Sequence, residues 1–415
     1  IGGLYAPGSE RGQGKSLSPA RAYMEDANYM KGIISCPDCG WFGLEEEKTS
    51  VCPFCGNRNL QESRPMLRPW GFAPKDAVSI PEAQLTEEYS SVQAPLYSTL
   101  PDSDDIVPIP NCKHLRIASR TNQRIIMVNQ GSASKGFMVC PDCGAAMPGD
   151  DERTLAGLKR PYISKFAQKP CHHNFAKNVN IGYDFVTDML VLEIALDESK
   201  IDVHRVDNPW LFRAAQSLAE ALRLAASKEL DVEFTELVTG YRLRTNTTRS
   251  FVDVYLYDSL SSGAGYAVGV ADIIEKLLVQ IRILLESCDC SNACHKCLKH
   301  YRNQYVHGML DCFAALDLLK WAVDGELAPI IPVEEQQRML WPLRSILRTS
   351  GCCLMEDNGG IVAKYKNKMM PLVVYPAMWV EPHGDQTIYV SDAYIKYAKP
   401  YAVRKILTAL MGAKE

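Results

Sequence analysis

The chain has 415 residues, of which 47% are hydrophobic and 23% charged, and its formal net charge is -4. These values describe an ordinary soluble globular protein of about two to four domains, and they exclude the disordered and fibrous classes. The slightly acidic balance gives no global case for nucleic-acid binding, so such binding must use local patches. The sequence contains no run of about 18 apolar residues and no signal peptide, so we expect no membrane partner and a cytoplasmic location.

Residues 1–30 are predicted to be an N-terminal remnant or linker. The chain opens on Ile and a Gly-rich stretch, from which we expect a piece of a longer polypeptide. Ser18 and Pro19 are a favoured N-cap and first-turn pair, and they predict a helix over 20–30. Residues 9–16 resemble a phosphate loop. They lack the preceding buried strand that phosphate binding requires, so we interpret them as a flexible basic loop.

The remaining sequence predicts an α+β protein with a zinc ribbon, a larger mixed α/β zinc-binding domain and a small C-terminal α/β unit. The predicted divisions are a ribbon at 31–64, an extended Pro- and Ser-rich linker at 65–114, a second zinc module at 115–180, a larger domain at 181–325 and a small unit at 330–415. Hydrophobic periodicity predicts strands at 124–128, 188–196, 231–244, 250–256, 361–365, 371–374 and 387–390. It predicts helices at 208–226, 270–286, 310–323 and 334–350.

The cysteines carry the clearest chemistry, because most of the 15 fall in closely spaced pairs within a long chain. In a reducing compartment this arrangement favours metal binding over disulfides. Four of them form two Cys-Pro-x-Cys-Gly knuckles whose glycines allow a tight turn around thiolate sulfur. We predict a structural zinc site from this first set: Cys36, Cys39, Cys52 and Cys55.

A third Cys-Pro-x-Cys-Gly knuckle, at Cys140 and Cys143, supplies half of a second predicted zinc site. Cys171 with His172 or His173 is the natural other half of this site; the sequence leaves the choice of histidine open, and His173 is taken as the ligand. A Cys₃His donor set is ordinary for zinc. Two other donors, Cys112 and His114, compete for the fourth position, and Cys171 could instead be a buried thiol.

A third predicted zinc site is a compact Cys-x-Cys-x₃-Cys-x₂-Cys cluster between two helices, made of Cys288, Cys290, Cys294 and Cys297. Nearby spare donors are His295, His300 and Cys312. Cys352 and Cys353 are adjacent in the chain and are interpreted as core residues. We therefore expect about three Zn²⁺ ions per chain. None is expected to be catalytic, because no open ligand position with a general base can be identified.

Several motifs around the third cluster resemble one family. Tyr-Asp-Ser-Leu-Ser-Ser-Gly-Ala-Gly-Tyr at 257–266, the cluster itself, and Tyr-Arg-Asn-Gln at 301–304 with His307 and Leu310-Asp311 resemble the zinc-binding domain at the C-terminal end of MrfA-type helicases. Residues 68–74 and 180–188 resemble segments that precede this domain. We assign 181–325 to it. The same domain occurs in large anti-phage helicases of the Druantia type and in the non-helicase subunit of the DISARM defence system.

The resemblance implies the C-terminal accessory region of a bacterial ATP-dependent DNA helicase, in anti-phage defence or DNA repair. Such a region would brace the motor and guide single-stranded or partly duplex DNA. Its partners would be helicase motor domains, in the same or another chain, and other defence subunits. ATP binding and hydrolysis would belong to the parent protein or complex, because this segment contains no recognisable motor motifs and is expected to be non-catalytic.

Local positive charge and aromatic rings suggest where DNA would bind, since cations contact phosphates and aromatic rings stack on bases. The candidate contacts are Arg242, Arg244, Arg249, Lys296, Lys299, His300, Tyr301 and Arg302. The alternative for each is a solvated, salt-bridged surface.

Two other functions were weighed against DNA guiding. The chain could be a non-catalytic adaptor that docks a helicase or nuclease in a DISARM-like complex. Alternatively, Asp258, Ser259 and Ser261 could form an active site beside the glycine-rich turn at 263–265. No histidine or lysine base stands at a defined spacing from these serines, so a tight turn that opens a helix is favoured.

Overall fold

The protein was analysed as a computed structural model, which describes residues 3–5, 24–53, 55–69, 71–73, 96–98, 106–158, 172–203, 210–245, 249–357, 359–384 and 386–411. The predicted phosphate-loop lookalike and Cys171 lie outside these residues. The described part is mixed α and β, which confirms the predicted fold class.

A large sheet occupies the first two thirds of the chain. The strands of this part, in chain order, are β1 (Gly3–Tyr5), β2 (Met30–Ser35), β3 (Phe42–Leu44), β4 (Gln61–Leu67), β5 (Gly71–Ala73), β6 (Leu96–Ser98), β7 (Val107–Pro108), β8 (Leu115–Asn129), β9 (Phe137–Val139), β10 (Ala146–Pro148), β11 (Lys177–Leu196), β12 (Leu237–Thr245) and β13 (Ser250–Asp258). Strands β1 and β5 pair with each other in a separate two-stranded sheet. Among the described residues, eleven of these strands form one continuous sheet.

Strand β11 joins the cysteine-bearing part of this sheet to the rest. Its first residues pair with β9, and Asn180 and Ile181 pair with β4 in parallel. From Ile181 onward it pairs antiparallel with β8, and from Met189 it also pairs with β13. The predicted divisions at 114/115 and 180/181 therefore fall inside one sheet. A single 20-residue strand crosses the second of them.

The helices of the first part are α1 (Glu152–Gly157), α2 (Trp210–Glu229), α3 (Tyr266–Asp272), α4 (Ile274–Glu286) and α5 (Cys312–Asp324). The main hydrophobic core lies between one face of the sheet and the helices α2, α4 and α5. Alternate residues of β11, including Leu190, Leu192 and Ile194, point into this core, as the period of a β-strand requires.

The C-terminal unit is built from α6 (Val333–Thr349), β14 (Cys352–Asp357), β15 (Gly360–Tyr365), β16 (Lys368–Tyr375), β17 (Ile388–Ser391), α7 (Asp392–Tyr397) and α8 (Lys399–Met411). The four strands form one sheet whose core-facing side packs on the helices. The loop after β16 returns to the main core, where the backbone nitrogen of Asp202 donates to the carbonyl oxygen of Met378 at 3.0 Å. Cys352 is buried as expected, whereas Cys353 is exposed.

In the described part of the predicted helix at 20–30, Met24 is helical, residues 25–29 form turns and a bend, and Met30 begins β2. The backbone amides of Tyr29 and Met30 both donate to the carbonyl oxygen of Asp26, which closes the turn before β2. Among the described residues, no helix has both the length and the hydropathy that a membrane span requires.

Candidate metal centres

Three Cys-Pro-x-Cys-Gly knuckles share one backbone geometry. In each, the amide of the first cysteine donates to the carbonyl oxygen five residues later, and the glycine amide donates back to that cysteine. The three glycines have φ of +71°, +76° and +74°, a left-handed conformation that glycine adopts without strain. These turns begin at Cys36, Cys52 and Cys140. The sequence motif therefore fixes the local fold of each knuckle.

The first candidate centre brings together the Sγ atoms of Cys36, Cys39, Cys52 and Cys55, which all lie within 4.8 Å of one another. Cys36 and Cys55 are 3.4 Å apart, and Cys39 and Cys52 are 3.5 Å apart. Around a tetrahedral ion with Zn–S bonds of about 2.3 Å, neighbouring sulfurs lie about 3.8 Å apart. The four thiols therefore fit a closed zinc site.

The thiols of this centre differ in pKa. Burial raises the pKa of Cys36, but the backbone amides of Cys39 and Asp38, together with the neighbouring thiols, outweigh burial and the net pKa is lowered. Burial raises the pKa of Cys39 and of Cys55. A thiolate is the form that binds zinc, so the knuckle amides favour the ligand form at Cys36.

The second candidate centre contains Cys140, Cys143 and His173 among the described residues. His173 Nδ1 lies 3.5 Å from Cys143 Sγ, whereas the neighbouring His172 is exposed. The side chain of Cys143, with a further contribution from His173, lowers the pKa of Cys140 to about 4 against the effect of burial. The arrangement fits three ligands of a zinc site. Cys171, the fourth predicted ligand, lies outside the described residues.

The two competing donors for this centre lie elsewhere. The ring of His114 stacks on Trp321, with the ring centroids 4.2 Å apart. Cys112 packs against the main hydrophobic core. Among the described residues, neither belongs to the group formed by Cys140, Cys143 and His173.

The third candidate centre brings together Cys288, Cys290, Cys294 and Cys297, again with all Sγ atoms within 4.8 Å. The Sγ atoms of Cys288 and Cys294 are 3.5 Å apart, and those of Cys290 and Cys297 are 3.7 Å apart. The backbone amide of Lys296, followed by the side chain of Cys288, lowers the pKa of Cys294 to about 7.

A fifth thiol adjoins the third centre. Cys312 is fully buried at the first turn of α5, and its Sγ lies 3.9 Å from that of Cys290. It does not belong to the group of four whose Sγ atoms lie within 4.8 Å of one another. The two other spare donors are not in that group and have ring contacts: His300 stacks on Phe234, and the His295 ring packs edge-on against His307.

The segment after the third centre is organised by Asn303, which is fully buried. Its amide nitrogen donates to Glu220 Oε2 and to the carbonyl oxygen of Leu298, each at 2.9 Å. Its amide oxygen accepts from the backbone nitrogen of His300 at 2.7 Å and from His307 Nε2 at 2.9 Å. The 3₁₀ turn that carries Asn303 is therefore fixed both to helix α2 and to the cysteine loop.

Glu220 and its neighbours complete this polar network. Burial raises the pKa of Glu220, and the Arg223 guanidinium 3.9 Å away opposes that rise. Arg223 donates through Nε and Nη2 to the carbonyl oxygen of Phe234, and the Phe234 ring stacks on His300 at 4.1 Å. His307 Nε2 has only acceptors as partners, the Asn303 amide oxygen and the carbonyl oxygen of His300, so it carries the hydrogen of the neutral ring.

Two buried carboxylates bind the backbone amides of the glycine-rich turn at 263–265. Asp258 is fully buried and accepts from the amides of Ala264, Tyr266 and Ala267 at 2.6, 3.2 and 2.8 Å. Asp188 accepts from the Gly265 amide at 3.2 Å. These bonds satisfy amides at the start of α3 and favour the turn interpretation over an active site.

Arg242 and Arg244, two of the predicted DNA contacts, lie in a buried salt-bridge network. Both donate through Nε to Asp253 Oδ2, at 2.7 and 2.8 Å, and Arg244 also pairs with Glu193. The carboxylates are only 1% and 2% exposed, and the arginines 10% and 12%. Arg116 approaches the same Glu193 at 2.5 Å. Each buried carboxylate therefore has two arginine partners, and these ion pairs hold Arg242 and Arg244 within the sheet.

The other candidate contacts lie on two separate surfaces. Lys296 and Tyr301 are exposed beside the third centre, while Lys299 and Arg302 are half-buried there. His300 lies under them with its ring against Phe234, so it supports this surface and does not present its ring to DNA. Arg249 lies apart, between β12 and β13, at a cavity of about 420 Å³.

Comparison with known proteins identifies part of the chain. Residues 218–298 match the family model of the MrfA Zn-binding domain. This range begins within α2 and ends just after Cys297, so it contains the whole third centre. This part of the chain is therefore similar to the MrfA Zn-binding domain, which names zinc as the metal for the third centre. The first and second groups lie outside the match, and their thiol and imidazole donors suit the same metal.

The Druantia protein DruE of Escherichia coli (strain UMEA 4076-1) is 30% identical to the chain over 387 residues. The alignment covers 88% of the chain but 21% of DruE, so the chain spans about a fifth of that relative. Together with the domain match, this similarity confirms the predicted resemblance to MrfA-type and Druantia-type proteins.

Two solved structures also align with the chain. The crystal structure of the DUF1998 helicase MrfA bound to DNA has a TM-score of 0.32 and 13% identity, covering 55% of this chain and 24% of MrfA. The structure of MrfA bound to DNA and AMPPNP has a TM-score of 0.24 and 11% identity, covering 54% and 22%.

Proposed function

We propose that this chain is a zinc-stabilised, non-catalytic region of a bacterial ATP-dependent DNA helicase that acts in anti-phage defence or DNA repair. The region braces the motor domains and guides single-stranded or partly duplex DNA. Its proposed location is the cytoplasm, where thiols stay reduced and can bind metal. The motor lies in the same polypeptide or in a partner, together with other defence subunits.

The observation that carries this proposal is the match of residues 218–298 to the MrfA Zn-binding domain. MrfA is described by its crystal structures as a helicase bound to DNA. The similarity to DruE extends over most of the chain, which supports one shared role for the three cysteine groups rather than for the matched domain alone.

Zinc would act here as a structural ion. The first and third groups each offer four thiols, which leave no position for a substrate or an activated water. The ligands would be Cys36, Cys39, Cys52 and Cys55 in the first site, Cys288, Cys290, Cys294 and Cys297 in the third, and Cys140, Cys143, Cys171 and His173 in the second. Each ion would stabilise the knuckles and loops around it, because ligand binding and local folding are coupled.

The proposed DNA surface is the patch beside the third centre. Lys296, Lys299 and Arg302 supply positive charge, and the Tyr301 ring is 54% exposed. The Arg302 guanidinium lies 5.9 Å from the centroid of that ring. Cations flanking an exposed aromatic ring suit a strand whose phosphates and unpaired bases must both be held.

The proposal is tested by measuring the affinity of the chain for a labelled single-stranded oligonucleotide over a range of salt concentrations. Three cationic contacts predict a slope of log K against log salt of about -2, since each contact to a single strand contributes about -0.7. Lys296→Gln should make that slope shallower by about 0.7. The matched control is Lys228→Gln, an exposed lysine on α2, which should leave the slope unchanged. Absent or salt-independent binding would contradict the proposal.

The adaptor alternative makes a different prediction for the same preparation. An adaptor would capture a helicase or nuclease from its own defence system equally well after nuclease treatment, and it would show no affinity for the oligonucleotide. The DNA-guiding role instead requires the salt-dependent affinity itself.

A further inference from the structure

The C-terminal unit differs in charge from the rest of the chain. Residues 330–415 contain eleven Lys and Arg and eight Asp and Glu, a formal net charge of +3, whereas the whole chain carries -4. The unit lies outside the region matched by the zinc-domain model. No cysteine group that could hold metal lies in its described residues.

Helix α6 concentrates part of this charge on its solvent side. Its inner face packs into the core of the unit through Leu340, Leu343 and Leu347. After Glu335 the helix contains three arginines and no acidic residue. On the outer side, Arg338 is 75% exposed and pairs with Glu335 at 2.7 Å.

Trp341 lies in the middle of this outer face and is 68% exposed. Its exposure sets it apart from Trp41, Trp210 and Trp321, which are each 5% exposed or less. Leaving a large aromatic ring in water gives up the free energy that its burial would supply, so an exposed tryptophan often marks a binding surface.

One arginine lies against the ring and another follows it on the helix. The Arg344 guanidinium lies 5.2 Å from the Trp341 ring centroid, within the range of a cation–π contact. Arg348 is exposed one turn further along the helix. Among the described residues, no ion pair is seen for Arg344 or Arg348, and Arg344 Nε is buried without a hydrogen-bond partner. From Arg338 to Arg348 the face extends about 15 Å along the helix axis.

We propose that this outer face of α6, made of Arg338, Trp341, Arg344 and Arg348, binds single-stranded nucleic acid, with Trp341 as the platform on which an unpaired base stacks. This inference rests on the proposed function, because DNA guiding supplies the single-stranded nucleic acid. The surface on α6 is separate from the patch beside the third centre. The arginines contact phosphates on either side of the stacked base, and Arg344 holds one edge of the platform in place.

Charge favours nucleic acid over a protein partner. The exposed apolar side chains of α6 are Trp341, Pro342 and Ile346, a short patch, whereas a protein-binding helix face is usually a continuous apolar stripe over several turns. Three arginines on the same helix as the exposed ring, one of them against it, are instead the combination found in sequence-tolerant single-strand binding.

The test uses the full chain and a fluorescein-labelled thymidine 20-mer. Trp341→Ala should weaken binding about tenfold, as expected for one stacked base, while Trp341→Phe keeps an aromatic ring and should retain most of the affinity. Arg348→Gln should make the salt slope shallower by about 0.7. Because Trp341 lies outside the hydrophobic cores, both tryptophan variants should keep the far-ultraviolet circular dichroism of the parent chain.

A direct readout comes from acrylamide quenching of tryptophan fluorescence. The difference between the parent chain and Trp341→Phe isolates the Trp341 signal, and saturating oligonucleotide should shield that signal from acrylamide. If the chain binds the oligonucleotide but Trp341→Ala binds equally well, or Trp341 stays accessible, the inference is overturned while the DNA-guiding function stands. If the chain binds no oligonucleotide at all, the DNA-guiding function itself fails, and this inference fails with it.

Discussion

Asn303→Ala should destabilise the zinc domain more than any other single change in the segment 301–307. The substitution removes two donated and two accepted hydrogen bonds at a side chain that is fully buried. One of the partners, Glu220 Oε2, belongs to a carboxylate with no exposed surface. Its nearest cation is Arg223 at 3.9 Å, which is too distant to replace the lost hydrogen bond.

The size of this destabilisation follows from counting the buried polar groups that lose a hydrogen-bond partner. A typical net hydrogen bond contributes about 1 kcal/mol, and a buried polar group left without a partner costs about 1–3 kcal/mol. Water can enter the space vacated by the amide and recover part of this loss. We therefore expect the free energy of unfolding of the domain to fall by roughly 3–4 kcal/mol, which is large against the 5–15 kcal/mol of an ordinary domain.

Urea denaturation followed by tryptophan fluorescence measures this loss, and retained zinc after gel filtration reports on the cysteine loop that Asn303 fixes. Gln304→Ala is the matched control, because Gln304 is the next residue and its side chain is exposed. Equal midpoints and equal zinc contents for Asn303→Ala and Gln304→Ala would refute the view that the buried network organises this segment.

Three other changes test separate parts of the structure. Gly263→Ala should lower the free energy of unfolding by at least about 1 kcal/mol, because φ is +76° and an added Cβ would lie 2.2 Å from a carboxylate oxygen of Asp188. The control is Gly269→Ala, which should be neutral or stabilising because nothing lies within 4 Å of its Cβ. Denaturation curves of the two variants measure the difference. Burial and neighbouring carboxylates raise the pKa of Asp317 to about 7, so the wild type loses stability as pH rises from about 4 through 7. Asp317→Asn should reduce this loss in melting curves recorded across that range, while Glu220 and Asp392, whose pKa burial also raises, retain their own contribution. Cys39→Ser should reduce bound zinc from about three to about two ions per chain by metal analysis, while Cys353→Ser, at an exposed thiol outside the groups, should leave it at three.

The knuckles could be predicted because their geometry is local. Each Cys-Pro-x-Cys-Gly motif encloses its own hydrogen bonds within six residues, and its glycine meets the demand for a left-handed conformation. The structure places His173 Nδ1 3.5 Å from Cys143 Sγ and leaves the ring of His172 exposed. The sequence alone could not separate the two histidines, because they are adjacent in the chain and offer the same donor atoms.

The contacts of Asn303 and of the two arginines could not be predicted, because they depend on pairing between distant segments. Asn303 and Glu220 are 83 residues apart in the chain. Arg242 and Arg244 are two residues apart on a strand, so their side chains lie on the same face of the sheet. Only the register of β12 with β13 places Asp253 opposite Arg242. The sequence shows two arginines in this strand, but it does not show that they form ion pairs with the buried carboxylates of Asp253 and Glu193.

The long strand β11 crosses the predicted division at 180/181. Its second half is strongly apolar and was predicted as a strand at 188–196. Its first half alternates polar residues with apolar ones, such as Val179, Ile181 and Phe185, which is the period of a strand with one buried face. The prediction used only the continuous apolar run, and pairing with β9, β4 and β8 shows that the strand begins at Lys177.

The three cysteine groups rest on hydrophobic cores of very different size, and this difference decides what the metal contributes at each. The first packs with Trp41 in a small cluster, and the second packs with Ala145 and Leu158 in another. The third is continuous with the main core, to which Cys297 and Leu298 both belong. Small clusters cannot offset the entropy of ordering their loops, so metal must supply most of the rigidity of the first two groups. At the third, the core and the Asn303 network already hold the loop, and metal sets the conformation of the surface that presents Lys296 and Tyr301.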